Sequence, residues 1–376
     1  MIEFIQQWYR RHFSDPQVAL LAVLLIAGFA VIFIAGDVLA PLLVAVVMAY
    51  VLDGAVEWLV GLGAPRVLAV IGVFLVFLGL LLGVTIWLLP LLIHQAAQFF
   101  SEVPQMANKG QTLLMQLPER YPEFVTRDDI TSLIGQVRSG LGTFGQRVVS
   151  LSIRSVMNLL TILVYMVLVP VLIFFLLIDK QKIFDWASSF LPTDRALSLR
   201  VWREMNIKIS SYMRGKMVEI VLVWLVTYIT FSLLNLNYAM LLAVVVGLSV
   251  IIPYVGAAVA TFPVALIAYF QWGFSMELLY VLVAYSVIQF FDGNLLVPLL
   301  FSEAVNLHPV AIIAAVLVFG GFWGVWGVFF AIPLATLIQS VINAWPKRPA
   351  TETDVDKAAA LSPQPGEETA ESVKPS

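Results

Sequence analysis

The sequence predicts an all-α, polytopic membrane protein with about eight transmembrane helices, some of them broken or re-entrant. Hydrophobic residues make up 61% of the 376 residues and charged residues only 12%, whereas a soluble domain carries roughly 25% charged residues. The hydrophobic residues also form runs long enough to cross a bilayer, which takes about 20 residues of helix. Together these observations exclude an ordinary soluble domain.

The N-terminal part predicts an interfacial segment followed by a transmembrane hairpin. Residues 1–17 combine apolar side chains with Arg10 and Arg11, a pattern typical of a helix lying on a membrane surface. The apolar runs 18–35 and 38–52 then follow. Asp37 lies between the two runs and Pro41 near the start of the second, which favours a tight turn there. One long tilted helix over both runs is the alternative interpretation.

Six further apolar stretches complete the predicted eight crossings, at 66–93, 156–178, 217–234, 238–270, 278–300 and 309–344. The predicted organisation is therefore transmembrane helices 1 to 3 within 18–93, helix 4 at 156–178 and helices 5 to 8 within 217–345.

Basic residues predict the orientation of these helices. Arg10 and Arg11 precede the first span, Lys347 and Arg348 follow the last, and the segment 179–216 is rich in lysine and arginine. All three clusters fall on one side of an eight-span chain. Because short basic segments stay in the cytoplasm, both termini and the segment 179–216 are predicted to be cytoplasmic.

The eight-span prediction places two further segments outside the bilayer. Residues 94–155 have apolar side chains at helical spacing among mixed charges, which predicts an extracytoplasmic helical loop. A cap or a contact in a homo-oligomer is one interpretation of this loop, and a solvated hairpin with no specific role is the other. The tail 346–376 contains six acidic residues and little that is large and apolar, which predicts a disordered acidic cytoplasmic tail.

Motifs for catalysis are missing from the sequence. There is no cysteine, no phosphate-binding G-x-x-x-x-G-K-[ST] loop and no H-E-x-x-H metal motif among the three histidines. We therefore predict no catalytic residue, no cofactor and no metal, and expect that the protein is not an enzyme. Its expected partners are a small solute or ion and the lipid bilayer, with no nucleic acid.

The strongest functional signal is a polar interruption in the seventh predicted span. Asp292, Gly293 and Asn294 stand together in an apolar stretch, although an aspartate at the centre of a membrane helix costs about 2.5 to 3.5 kcal/mol. Such a residue usually faces a cavity and marks a substrate or ion pathway. The alternative is that Asp292 lies near the interface and caps a short helix. Glu303 and His308, which come just before the last span or at its start, are candidates for the same pathway.

A second interruption contains Pro253 and Gly256. Transporters use broken helices of this kind because unwound carbonyls and half-helix ends can hold polar ligands, but an ordinary proline kink is an equal alternative. Both residues are candidate pathway residues.

Glycines in the last span predict close helix packing. Gly320, Gly324 and Gly327 leave part of the helix surface nearly bare, so that another backbone can approach. Direct contact with substrate is the alternative. A weak internal repeat is also present, since Asn235-Leu236 precedes Gly256 by the same interval as Asn306-Leu307 precedes Gly327.

Four stretches together resemble a known family. They are PVLIFFLLIDK at 170–180, IPYVGA at 252–257, DGNLLVP at 292–298, and NLHP at 306–309 with the glycine-rich helix behind it. In this combination the chain resembles the autoinducer-2 exporter (AI-2E) family over residues 1–346. The resemblance implies an inner-membrane protein with a large extracytoplasmic loop, and either export of autoinducer-2 or sodium/proton antiport.

These observations predict a secondary transporter of the inner membrane for a small polar solute such as an autoinducer-2-like signal. A carboxyl group at Asp292 or Glu303 that water reaches can exchange protons and so couple transport to a proton gradient. A sodium/proton antiporter is one alternative. A membrane scaffold that transports nothing is the other, and it needs no polar pathway.

Overall fold

The computed structural model describes residues 16–115, 131–132, 135, 159–189, 196–253, 255–301 and 307–344, and these residues form helices and turns without a strand. The helices are numbered here in chain order. Their bounds are Pro16–Gly61 (α1), Arg66–Gly83 (α2), Leu89–Met115 (α3), Leu159–Ile178 (α4), Lys180–Ser189 (α5), Ala196–Leu233 (α6), Ala239–Ser249 (α7), Val255–Trp272 (α8), Met276–Phe291 (α9), Val297–Phe301 (α10) and Pro309–Ala344 (α11), with π-helical turns at Val84–Leu88 and Asp292–Leu296.

Within the described residues, five helical segments are long and apolar enough to cross a bilayer, and a sixth is obtained if α4 and α5, which meet at 82°, count as one broken span. The five are Val38–Gly61, Arg66–Thr112, Trp202–Leu233, Val255–Trp272 and Met276–Phe301. Helices dominate because a bilayer offers no partner for free backbone N–H and C=O groups. The predicted all-helical membrane class is confirmed, but the predicted count of about eight spans is not.

The first difference is that α1 is continuous over 46 residues. The predicted hairpin at Asp37 is wrong, and the alternative of one long helix describes the backbone. Pro41 lies inside the helix, where it removes only one backbone hydrogen bond.

The second difference is that the predicted span at 238–270 is a helical hairpin, here called hairpin 1, with α7 and α8 as its arms. At its open end Asn237 N–H donates to Gln271 Oε1 at 2.8 Å, and Gln271 Nε2 donates to Asn235 O at 2.8 Å. At its tip a Cβ on Gly256 would overlap the carbonyl oxygen of Ser249. The arms therefore run antiparallel, so this stretch does not form one continuous helix from 238 to 270.

The predicted last span is also a hairpin, here called hairpin 2. Its arms are Pro309–Gly324 and Trp326–Val341. Gly324 has φ 59° and ψ −137°, which is not a helical conformation. A Cβ on Gly327 would overlap the carbonyl oxygen of Phe319, eight residues earlier, whereas eight residues of straight helix span about 12 Å. The chain therefore turns back on itself at Gly324.

The two hairpins correspond to the weak repeat in the sequence. In each, a glycine lies 21 residues after an Asn-Leu pair, and that glycine meets a carbonyl of the preceding arm. The repeated interval thus marks the same structural unit twice.

The hairpins approach the long helix α6 from opposite ends. The open end of hairpin 1 follows directly after Leu233, the last residue of α6, and its tip reaches Lys216, whose Nζ donates to Val250 O at 3.0 Å. Near the open end of hairpin 2, by contrast, Ser340 donates to Glu204 at 3.2 Å, close to the start of α6. Near the middle of α6, residues of both hairpins line the same cavity.

Three buried clusters hold this arrangement together. One joins hairpin 1 to α6 and α9, a second joins α1 to α2 and α4, and a third joins α1 and α6 to α10 and α11. The first and third clusters lie on either side of the polar residues of α6, which places those residues between the hairpins.

Candidate functional site

A cavity of about 400 Å³ lies where the two hairpins meet α6. Its walls come from α6, the tip of hairpin 1, the π-helical turn after α9, α10, and both arms of hairpin 2. Most of the lining is apolar. Its polar side chains are those of Tyr212, Lys216, Glu219, Gln289 and Asp292.

Lys216 and Glu219 form a buried ion pair at the cavity. Lys216 Nζ lies 2.6 Å from Glu219 Oε2, and the two side chains are only 5% and 2% exposed. They stand three residues apart on α6, a spacing that puts both side chains on one helix face. Because a buried charge without a partner costs several kcal/mol, each of these residues depends on the other.

Lys216 makes two further contacts that tie the site together. Its ammonium group donates to Val250 O at the tip of hairpin 1, and it lies 5.1 Å from the centre of the Phe301 ring on α10, within the distance of a cation–π interaction. A single side chain therefore links α6, hairpin 1 and the chain segment that leads into hairpin 2.

Asp292 is the second carboxylate of the cavity. It is 8% exposed, and its Oδ1 is buried with no hydrogen-bond partner among the described residues. It begins the π-helical turn Asp292–Leu296, and π-helical turns within helices occur frequently at functional sites. Lys216 acts electrostatically on both Asp292 and Glu219. With all three groups ionised the site carries one negative charge in excess.

Of the other predicted pathway residues, Pro253 and Gly256 lie at the tip of hairpin 1. Pro253 lines the cavity, and Gly256 is buried behind it, against Ser249. The helix interruption predicted at 252–257 is therefore a chain reversal beside the cavity. A simple kink in a continuous helix does not describe it.

Asn294 and His308 do not line this cavity. Asn294 is exposed, and its Nδ2 donates to Phe290 O at 2.9 Å within its own helix. His308 is also exposed, and its Nδ1 accepts a hydrogen bond from the Val310 backbone N–H at 3.3 Å, as a helix N-cap does. Glu303 lies outside the described residues.

The three glycines predicted to pack have different environments. A Cβ on Gly320 would meet Val328 Cγ2 at 2.7 Å, and one on Gly327 would overlap the other arm, so both lie at the close contact between the arms of hairpin 2. A Cβ on Gly324 would meet nothing within 4 Å. Gly324 supplies the turn instead, because its positive φ is one that other residues rarely adopt.

Sequence reasoning missed Lys216 and Glu219. The sequence predicts Lys216 in the basic cytoplasmic segment 179–216, but α6 runs without a break from Ala196 to Leu233, and Lys216 is buried in its middle. The available signal was Glu219, an acid in an apolar stretch with a lysine three residues before it. Lysine and glutamate at that spacing can neutralise each other.

Fold and site together define a class. A cavity with buried charged residues, between helical hairpins that enter from opposite ends of a membrane helix, has the organisation of membrane transport proteins, in which broken helices surround a central site. The chain belongs to the AI-2E transporter family, because the model of that family, described as "AI-2E family transporter", matches residues 21–347.

Two relatives illustrate the range of similarity. The chain is 48% identical over 346 residues to "Putative permease PerM" of Escherichia coli (strain K12), an alignment that covers 92% of this chain and 98% of the relative. It is 25% identical over 306 residues to "Putative transport protein YueF" of Bacillus subtilis (strain 168), covering 80% of this chain and 82% of the relative. Both names agree with a transporter.

Proposed function

We propose that the protein is a secondary transporter of the inner membrane that moves a small polar solute through the cavity at Lys216, Glu219 and Asp292. The observation that carries the proposal is Asp292, which lines this cavity and whose Oδ1 is buried with no hydrogen-bond partner among the described residues. Leaving such an atom unpaired costs free energy, and a solute that donates a hydrogen bond removes that cost. A polyhydroxyl solute such as an autoinducer-2-like signal has the required donors.

A sodium/proton antiporter is the second candidate function. Its support is that two carboxyl groups and one amino group line the cavity, since hard cations prefer carboxylate and carbonyl oxygens. A scaffold has less support, because a scaffold requires no buried charges.

Asp292→Asn tests the transport proposal. The substitution keeps the volume and removes the charge, so we expect the protein to fold normally and to lose transport about tenfold or more, because a hydrogen bond to a charged group is worth about 1.5 to 3 kcal/mol. The measurement is efflux of autoinducer-2 from proteoliposomes, with sodium/proton exchange measured in parallel under imposed gradients. Asp185→Asn, at an exposed residue of α5, is the matched control.

The outcomes of this experiment separate the candidates. Loss of solute efflux alone supports the solute transporter, and loss of sodium-dependent proton movement alone supports the antiporter. Full activity of Asp292→Asn in both assays would remove Asp292 from the pathway and contradict the proposal.

We also propose that α5, the start of α6 and the C-terminal end of hairpin 2 face the cytoplasm, whereas Lys216, the last residue of the predicted basic segment, lies within the span Trp202–Leu233. Ion pairs join Asp53 to Lys180 at 2.6 Å and to Arg66 at 3.6 Å, so the basic segment and the turn after α1 lie at one end of the bundle. Ser340 contacts Glu204 at the start of α6, which supports the same end for the C-terminal arm. The positive residues then choose the cytoplasmic side.

Reporter fusions test this topology. A fusion after Ser189 should be cytoplasmic, and one after Met115, at the far end of α3, should be extracytoplasmic. If both fusions report the same compartment, the proposal is contradicted. A fusion at the N-terminus is a further test of the topology. The predicted cytoplasmic N-terminus depends on a hairpin within α1 that does not form, and the continuous helix instead places residue 16 at the other end of α1 from Asp53.

A further inference from the structure

A second cavity, of about 560 Å³, lies away from the proposed transport site. It is enclosed by α1, the end of α4, α5 and the start of α6, and is called the interfacial cavity here. At this point the chain leaves the apolar helix α4 and turns by 82° into α5. A short amphipathic helix that lies across the end of a membrane helix is the geometry of an interfacial helix.

The position of aromatic residues agrees with a membrane interface. Phe184 of α5 and Trp202 of α6 both line the cavity, and their ring centres are 5.9 Å apart. Trp186 on α5 is exposed. Tryptophan is enriched at the level of lipid headgroups, where its apolar ring and polar N–H suit the boundary.

The lining of the interfacial cavity has an apolar side and a polar side. The apolar side includes Leu176, Ile183 and Phe184, and the polar side includes Lys180, Arg203 and Asn206. A ligand that matches both sides is an amphiphile, with a polar head and an apolar chain. A fully polar ligand would leave the apolar wall in contact with water.

The charges on the polar side favour an anionic head. Lys180 is already paired with Asp53 at 2.6 Å and with Glu57 at 3.7 Å. Arg203, in contrast, makes no ion pair or side-chain hydrogen bond with any described residue. Among the charged side chains that line the cavity, two cations, Lys180 and Arg203, therefore stand against one carboxylate, Asp53.

We propose that the interfacial cavity binds an anionic phospholipid of the surrounding leaflet, with its phosphate on Arg203 and an acyl chain along Ile183 and Phe184. A guanidinium group offers a planar fork of N–H donors that matches phosphate oxygens in pairs. Basic pockets at the cytoplasmic surface of a membrane protein are also where anionic lipid headgroups bind. The proposal does not depend on the transported solute.

The test is lipid binding to the purified full-length protein, measured by native mass spectrometry and by competition in nanodiscs. The probes are phosphatidylglycerol and phosphatidylcholine with identical chains, and glycerol phosphate as the headgroup without chains. We expect phosphatidylglycerol to be preferred over phosphatidylcholine, and Arg203→Gln to reduce that preference about tenfold, the factor that corresponds to about 1.4 kcal/mol.

Lys182→Gln is the matched control. Lys182 is on α5, which also contributes lining residues, but it is 85% exposed and does not line the cavity. Its substitution changes the net charge by the same amount as Arg203→Gln and should leave the lipid preference intact. Thermal unfolding of each variant shows that the fold is retained.

Three results would overturn the proposal. They are equal binding of the two lipids by the unaltered protein, an equal loss of preference in both variants, and glycerol phosphate binding as tightly as the lipid. The last result would identify a water-soluble phosphate compound as the occupant.

Discussion

Gly327→Ala is expected to prevent hairpin 2 from closing, with Gly256→Ala doing the same to hairpin 1. In each case the added methyl group would occupy the position of a backbone carbonyl oxygen of the facing arm, Phe319 O or Ser249 O. A backbone atom cannot rotate away as a side chain can, so the arms must separate. Overpacking of this kind costs about 1 to 3 kcal/mol and occasionally more, and the separated arms also lose the packing that holds helices together in lipid.

The measurement is thermal unfolding in detergent, together with the yield of folded protein from membranes. Gly321→Ala is the matched control, because it lies in the same hairpin and its Cβ would meet nothing within 4 Å. We expect that control to behave as the unaltered protein does. Equal stability of Gly321→Ala and Gly327→Ala would show that the arms are not in contact at Phe319.

The behaviour of these glycines shows what the sequence could predict about the fold. The all-helical membrane class followed from composition, and close backbone contact at Gly320 and Gly327 followed from small residues in an apolar stretch. The direction of the chain did not follow. A stretch such as 238–270 is apolar on all sides, so it has no helical periodicity that would distinguish a long span from two antiparallel arms.

Hairpin 2 was hidden for the same reason. Gly324 forms its turn by backbone conformation alone, and the residues on both sides of Gly324 are apolar. The repeated interval before Gly256 and Gly327 was the available signal. That interval alone does not predict a hairpin, because a repeated spacing does not specify the direction of the chain.

The candidate site was predicted in part. Asp292 was singled out because an acid in hydrocarbon is costly, and it does line the cavity. Asn294 was included because it is polar and close in sequence, but a residue two positions along a helix points to a different face. Lys216 was missed because positive residues at the start of an apolar run are usually part of a loop. Lys216 can be buried because Glu219 neutralises its charge, and neither residue considered alone predicts this.

Lys216→Met is expected to destabilise the protein by about 3 to 5 kcal/mol, the usual cost of breaking a buried ion pair by removing one partner. Methionine fills a similar volume, so the effect comes from charge and hydrogen bonding. Glu219, which is 2% exposed, would lose the cation that stabilises its carboxylate. Val250 O, at the tip of hairpin 1, would also lose the donor that now lies at 3.0 Å.

Lys182→Met provides the matched control for this substitution. Lys182 and Asp179 form an ion pair with the same three-residue spacing and a similar distance of 2.7 Å, but Lys182 is 85% exposed. Exposed pairs contribute little to stability because water screens them. Thermal unfolding in detergent should therefore show a large decrease for Lys216→Met and little change for Lys182→Met.

The double variant Lys216→Met with Glu219→Met separates stability from function. Removing both charges leaves no unpaired ion at that position, and replacing a buried pair with apolar residues is often neutral or stabilising. We expect the double variant to recover most of the lost stability but not transport, because the cavity then lacks the charges that act on Asp292. Recovery of transport together with stability would mean that the ion pair serves only the fold, and that Asp292 works without it.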